Sequence, residues 1–189
     1  MVKPPANFDS VACWYRWLEY AAFGRTLERC RFAFLPALKD ARRVLILGEG
    51  DGRFLQKLLS VNLSAQIDVV DVSVGMLRLA RGRLSDDQVE RVEFYPADAR
   101  NWDFPEGEYD AIVTCFFLDC FTPQTLAELM PRITASAKPG ACWLLSEFED
   151  TLTARACLWL AFMHAFFRIT TNLEASRLGP FTELIVESG

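Results

Sequence analysis

The sequence predicts an α/β fold, a doubly wound and mostly parallel β-sheet with helices on both faces. After about residue 40, short β-rich apolar runs alternate with helical patterns, as repeated βαβ units do. The runs are continuously rich in Val, Ile and Leu, which suits strands covered on both faces. With 189 residues, 51% of them hydrophobic and 24% charged, the chain has the length of one domain with a sizeable core.

In chain order, residues 10–38 form a helical segment dense in aromatic residues: Trp14, Tyr15, Trp17, Tyr20, Phe23, Phe32 and Phe34. Either it packs on the sheet as an extra layer or its aromatic face covers a ligand site. Residues 1–40 are therefore expected to be a helical cap on a domain of residues 41–189. The expected strands are Arg43–Leu47, Ile67–Val70, Val92–Tyr95, Tyr109–Thr114 and Ala141–Ser146. Helices are expected over Arg53–Ser60, Val74–Leu84 and Pro123–Ala137, the last with Leu126, Leu129, Met130, Ile133 and Ala137 at helical spacing. Thr122 before Pro123 signals its start, Lys138-Pro139-Gly140 marks the turn beyond it, and Pro131 should kink it or split off its last turn. Residues 152–169 read as a helix apolar almost all round, buried or against an apolar partner.

Composition excludes several classes. A net charge of −5 and a pI near 5.0 leave no basic field for nucleic acid. The first nine residues lack an apolar stretch, so no secretory signal is read and a cytoplasmic protein is expected. The run Ala154–Ile169 carries Arg155, His164 and Arg168 and is shorter than the roughly 20 apolar residues of a transmembrane span. The six cysteines form no CxxC pair and adjoin no His cluster; they read as reduced, buried thiols, with no metal site and no disulfide framework. Oligomeric state is not legible.

The chemistry concentrates at Val44-Leu-Ile-Leu-Gly48-Glu-Gly50-Asp-Gly52-Arg-Phe-Leu55, an apolar strand entering a GxGxG turn and then a helix. Glycines there permit a sharp turn and close approach of a ligand to backbone, beside a helix N-terminus. Asp71, at the end of the second strand and 19 residues after Gly52, is placed to accept both ribose hydroxyls of a nucleoside. Asp71 and Ser73 alternatively cap the helix starting near Val74. A nicotinamide dehydrogenase shares this much, but with GxGxxG spacing.

The GxGxG spacing resembles that of the class I, Rossmann-like S-adenosylmethionine-dependent methyltransferases, nearest to the quinone-biosynthesis and small-molecule group. Residues 44–55, 69–81, 97–99, 109–121 and 129–148 carry the resemblance. It implies that Gly48, Gly50 and Gly52 approach the methionine part of S-adenosylmethionine and that Asp71 holds the ribose, with Val72 and Met76 beside the adenine. It further implies that Asp98 and Ala99 meet the adenine amine and ring edge, and that Cys115 and Phe116 line the floor near the sulfonium; plain core is the other reading of that last pair.

The chain departs from the family in two places. The acidic residue usual two positions before the first glycine is Ile46 here, so Glu49 or Asp51 is left to hold the cofactor's ammonium. Residues 181–189 (FTELIVESG) look like the last helix before a closing strand pair, for which no residues follow; either the chain is truncated or the sheet ends early.

The implied reaction is in-line methyl transfer to a small apolar or aromatic acceptor, in which positioning and desolvation dominate. Asp119 and His164 are the candidate bases, against duller roles as a solvated or capping carboxylate and a core histidine. Two other functions remain open, a cofactor-binding scaffold without turnover and a nicotinamide oxidoreductase.

Overall fold

In the computed structural model, residues 26–147 are described. They contain α1 (Thr26–Ala33), a 3-10 turn (Leu35–Leu38), β1 (Arg43–Leu47), α2 (Arg53–Val61), β2 (Gln66–Asp71), α3 (Val74–Arg81) and α4 (Asp86–Val89). Then follow β3 (Val92–Pro96), β4 (Tyr109–Cys115), a second 3-10 turn (Leu118–Cys120), α5 (Pro123–Ser136) and β5 (Ala137–Ser146). The helix expected at 152–169, His164 and residues 181–189 lie outside the described residues, as does most of the aromatic N-terminal segment.

The five strands form one parallel sheet in the order β3-β2-β1-β4-β5. Chain progression runs one way from β1 to β3 and the other way from β4 to β5. Loops at the carboxyl ends of β1 and β4 therefore diverge, and a crevice opens between them.

The period-two alternation of β1 feeds two layers. Val44 and Ile46 join Phe54, Leu55, Leu58, Val69, Leu77 and Val113 on one face. Leu45 and Leu47 join Val70, Ile112, Leu129 and Ile133 on the other. All four β1 residues are at most 2% exposed, and burying each such side chain contributes roughly 1.5–3 kcal/mol. Leu27, Leu35 and Leu38 are buried as well, which anchors α1 and the turn after it.

The strand expectations hold to within one or two residues, except that β5 begins at Ala137 with a register irregularity, Tyr109 pairing with Ala137 but Ala111 with Cys142. Lys138-Pro139-Gly140 is the excursion between these pairs, and Gly140 takes φ +79°. The second expected helix stops at Arg81, with Gly82 capping it. The short α4, closed by a Ser85/Gln88 capping box, is not foreseen. Pro131 does not divide α5. It lies on the exposed side, while Leu126, Leu129, Met130 and Ile133 hold the opposite face against the core.

Candidate functional site

The three glycines of the turn all take positive φ, each for its own reason. A Cβ on Gly48 would stand 2.5 Å from the Phe117 ring, and one on Gly52 only 2.4 Å from the Ala80 backbone of α3. Gly48 thus lets the turn approach the loop after β4, and Gly52 lets it approach α3. Gly50, at φ +69°, meets nothing within 4 Å, so its bare backbone faces open space.

Asp71 points into this turn. One carboxylate oxygen accepts the Gly50 N–H at 3.1 Å and the other the Ser73 N–H at 2.9 Å. Capping of α3 falls to Ser73, whose hydroxyl accepts the Met76 N–H at 3.1 Å. Val72 is partly exposed, and Met76 and Ala99 are buried. Both Asp98 oxygens accept from Arg100, at 2.6–3.1 Å.

Of the two acids left for the ammonium, Asp51 is consumed. It pairs with Arg53 at 2.9 Å and with Arg83 at 2.8 Å. Glu49 lines a narrow cavity with Ile46, Gly48, Val113, Cys115 and Arg31. One of its oxygens accepts the Leu55 N–H at the start of α2 at 2.9 Å. Burial of its carboxyl raises its pKa to about 8, against the opposing pull of that N–H and of Arg31. Ile46, 2% exposed, supplies apolar floor where the family has an acid.

Arg31, on α1, is the residue that sequence reasoning missed here. Its guanidinium lies 5.1 Å from the Phe116 ring centroid and acts electrostatically on both Glu49 and Cys115. No spacing rule ties it to the glycine turn 17 residues downstream; only the docking of α1 brings it there. Burial pushes the Cys115 thiol up to about 12, so it is a neutral wall and no nucleophile; Cys30 and Cys142, by contrast, are exposed, against the expectation of buried thiols, because each lies on the outer side of its element.

The loop after β4 is unusual. Phe116 is the non-glycine residue with positive φ, +55°, among the described residues, a conformation that costs of order 1–3 kcal/mol unless its surroundings enforce it. They do: its N–H bonds Ser146 O at 2.7 Å, and Glu147 accepts the next two N–H groups, of Phe117 at 3.1 Å and Leu118 at 2.9 Å. Asp119 follows in the 3-10 turn, 8% exposed. Glu147, also missed, carried the signal that exposed Asp71, an acidic residue just past the carboxyl end of a parallel strand. Among the described residues, no group of three His, Cys, Asp or Glu is placed to hold a metal ion.

A family model described as a methyltransferase domain matches residues 44–140, from β1 into the start of β5 and more than half of the chain. The chain belongs to the methyltransferase domain family. The nicotinamide alternative falls with that assignment. Over 179 aligned positions this methyltransferase is 29% identical to the ubiquinone/menaquinone biosynthesis C-methyltransferase UbiE of Pseudomonas savastanoi pv. phaseolicola, covering 84% of this chain and 69% of that one. Its fold is similar to that of a SAM dependent methyltransferase from Archaeoglobus fulgidus, with TM-score 0.64, 21% identity, and 92% and 72% of the two chains covered. A second fold neighbour is the 1,6-didemethyltoxoflavin-N1-methyltransferase of Burkholderia thailandensis, whose structure holds S-adenosylhomocysteine (TM-score 0.53, 23% identity, 70% and 55% covered).

S-adenosylmethionine is the cofactor of this class, and the residues present suit its chemistry. Glu49 and Arg31 set a carboxyl and a guanidinium on the wall of one cavity, the complement of an amino-acid ammonium and carboxylate. Gly50 leaves open the space a Cβ would fill. The cavity itself encloses only about 10 Å³, room for roughly one water.

Proposed function

We propose that the chain methylates a small apolar or aromatic acceptor, with the cofactor held across the β1 and β2 ends by Gly48, Glu49, Gly50, Asp71 and Arg31. The observation that carries this reading is the reach of Asp71 to the Gly50 N–H, which joins the two halves of a nucleoside-binding crevice at one point. Val72, Met76, Asp98 and Ala99 form the adenine side of the reading, and Gly52 serves it by packing α3 against the turn.

The bound cofactor supplies a methyl group already activated on a sulfonium. What remains for the protein is to orient, desolvate and accept a proton. Cys115, Phe116 and Phe117 give an apolar wall at the β4 end, with Phe117 and Phe121 packed edge to face at 5.0 Å. Such a wall suits an aromatic acceptor and keeps water from the transfer. Asp119, next along that loop, is the proposed proton acceptor. The relatives in quinone biosynthesis make phenols and quinols the first acceptors to try.

The test is titration calorimetry with S-adenosylmethionine, followed by a screen of phenols and quinols for conversion of the cofactor to S-adenosylhomocysteine. Micromolar binding and turnover that Asp119→Asn reduces at least 100-fold are expected. No heat and no thermal shift at millimolar cofactor refute the site. Binding without product from any acceptor favours a scaffold role.

A further inference from the structure

We infer that Arg83 is a positioning residue for the methyl donor: it fixes Asp51, and through Asp51 the shape and charge of the glycine turn. The inference rests on the cofactor-site reading above and adds to it a residue 31 positions beyond Gly52 in the chain.

Arg83 follows α3 and its capping Gly82. Its own backbone is held on two sides: its N–H bonds Ala80 O at 3.2 Å, and its carbonyl accepts the Gln56 side-chain amide of α2 at 2.9 Å. From that seat the guanidinium grips Asp51 twice, Nε donating to the Asp51 carbonyl and Nη2 to its Oδ2 at 2.8 Å. A planar fork that holds a main-chain and a side-chain oxygen of one residue fixes its orientation as well as its place, which a point charge does not. The other carboxylate oxygen, Oδ1, accepts Arg53 Nε at 2.9 Å.

What is held is the residue between two glycines of the turn. Asp71 of β2 holds the Gly50 N–H, and Gly52 lies against Ala80 of α3; Arg83 secures the peptide that joins them. Both glycines take positive φ and have wide backbone freedom of their own, so the shape of the turn depends on such outside contacts. Charge is set by the same contacts. Asp51 and Arg53 line the narrow cavity that Glu49 and Arg31 also line. An Asp51 released from its ion pairs would put a second anion beside Glu49, in competition for the donor's ammonium. Held between two guanidiniums, it instead leaves a surplus positive charge on that side of the turn, which suits the carboxylate of an amino acid, and the ammonium is left to Glu49. Arg83 itself is 30% exposed, and a partly exposed ion pair contributes little to folding. Its consequence therefore falls on binding.

Arg83→Met keeps the apolar stem and removes the fork, while Arg83→Lys keeps the charge without the fork. In calorimetry on the full chain, the Met variant should bind S-adenosylmethionine and S-adenosylhomocysteine about tenfold more weakly. Adenosine, which lacks the methionine end, should lose less than about threefold in competition. The Lys variant should recover part of the loss. Added to Asp51→Ala, the Met replacement should cost less than about threefold further, because Arg83 acts through Asp51. The melting temperature of the cofactor-free Met variant should fall by less than about 5 °C. Hydrogen exchange of the Gly50 and Leu55 amides, bonded to Asp71 and Glu49, should quicken at least about fivefold in that variant, with the Val44 and Ile46 amides of β1 unchanged. Unchanged affinity in the Met variant, equal weakening of adenosine and S-adenosylmethionine, or full additivity with Asp51→Ala overturns the proposal. If the Met variant does not fold, the same comparisons on Arg83→Lys decide. Failure of the wild type to bind S-adenosylmethionine refutes the underlying reading instead, and exchange at Gly50 and Leu55 then still decides whether Arg83 sets the turn.

Discussion

Replacing Glu49 by Gln separates a cofactor-binding carboxyl from a merely buried one. Its carboxyl is drawn inward to the Leu55 N–H, and burial raises its pKa to about 8. To bind an ammonium it must ionise. At a pKa near 8 it is about 1% ionised at pH 6 and about 9% at pH 7, so wild-type affinity should rise about ninefold over that unit, ~1.3 kcal/mol. Calorimetry with S-adenosylmethionine at pH 6 and 7, in buffers of different ionisation enthalpy, should show close to one proton released per cofactor bound. The Gln variant should bind more weakly, with no release and no pH dependence over this range. Stability of the cofactor-free protein moves the opposite way. A carboxyl whose folded pKa lies above its unfolded value holds its proton in the folded state, so its contribution is lost as pH rises from about 4.5 through 8. Melting curves of the unliganded variant should therefore fall less than wild type across that window. Wild-type affinity flat between pH 6 and 7, with no proton released, refutes the assignment.

Glycine replacements sort packing from ligand approach. Gly52→Ala drives a Cβ into the Ala80 backbone at positive φ and should cost about 2 kcal/mol or more in denaturant unfolding. Gly50→Ala meets no atom in the protein; it should cost only about 1 kcal/mol of stability yet weaken cofactor binding at least tenfold in calorimetry. Arg31→Gln should weaken S-adenosylmethionine about tenfold while leaving adenosine, which lacks the carboxylate, nearly unaffected in competition binding. At the opposite end of the sheet, the Tyr109 hydroxyl donates to the buried Asp68 at 2.7 Å beside Arg43 at 2.8 Å. Tyr109→Phe should thus cost about 1–3 kcal/mol by chemical denaturation and leave cofactor affinity unchanged.

The uninterrupted apolar runs and the spacing of Gly48, Gly50 and Gly52 were enough to read the sheet, its strands and the turn after β1, because burial on both faces and a positive-φ turn each demand particular residue types locally. Helix ends were less legible: α3 stops at Arg81, three residues before the expected end at Leu84, and Pro131 is tolerated because the opposite face of α5 is held by the core. The choice between Glu49 and Asp51 was beyond the sequence, since both lie in the same turn, and only the pairing of Asp51 with Arg53 and Arg83 separates them. Arg31 meets the cavity beside Glu49 through the docking of α1, and Glu147 meets the loop after β4 through the pairing of β5 with β4, contacts between residues far apart in the chain. Local pattern fixes which conformations a segment adopts, but which charge stands beside which depends on how the finished layers pack, and that is decided by the tertiary structure.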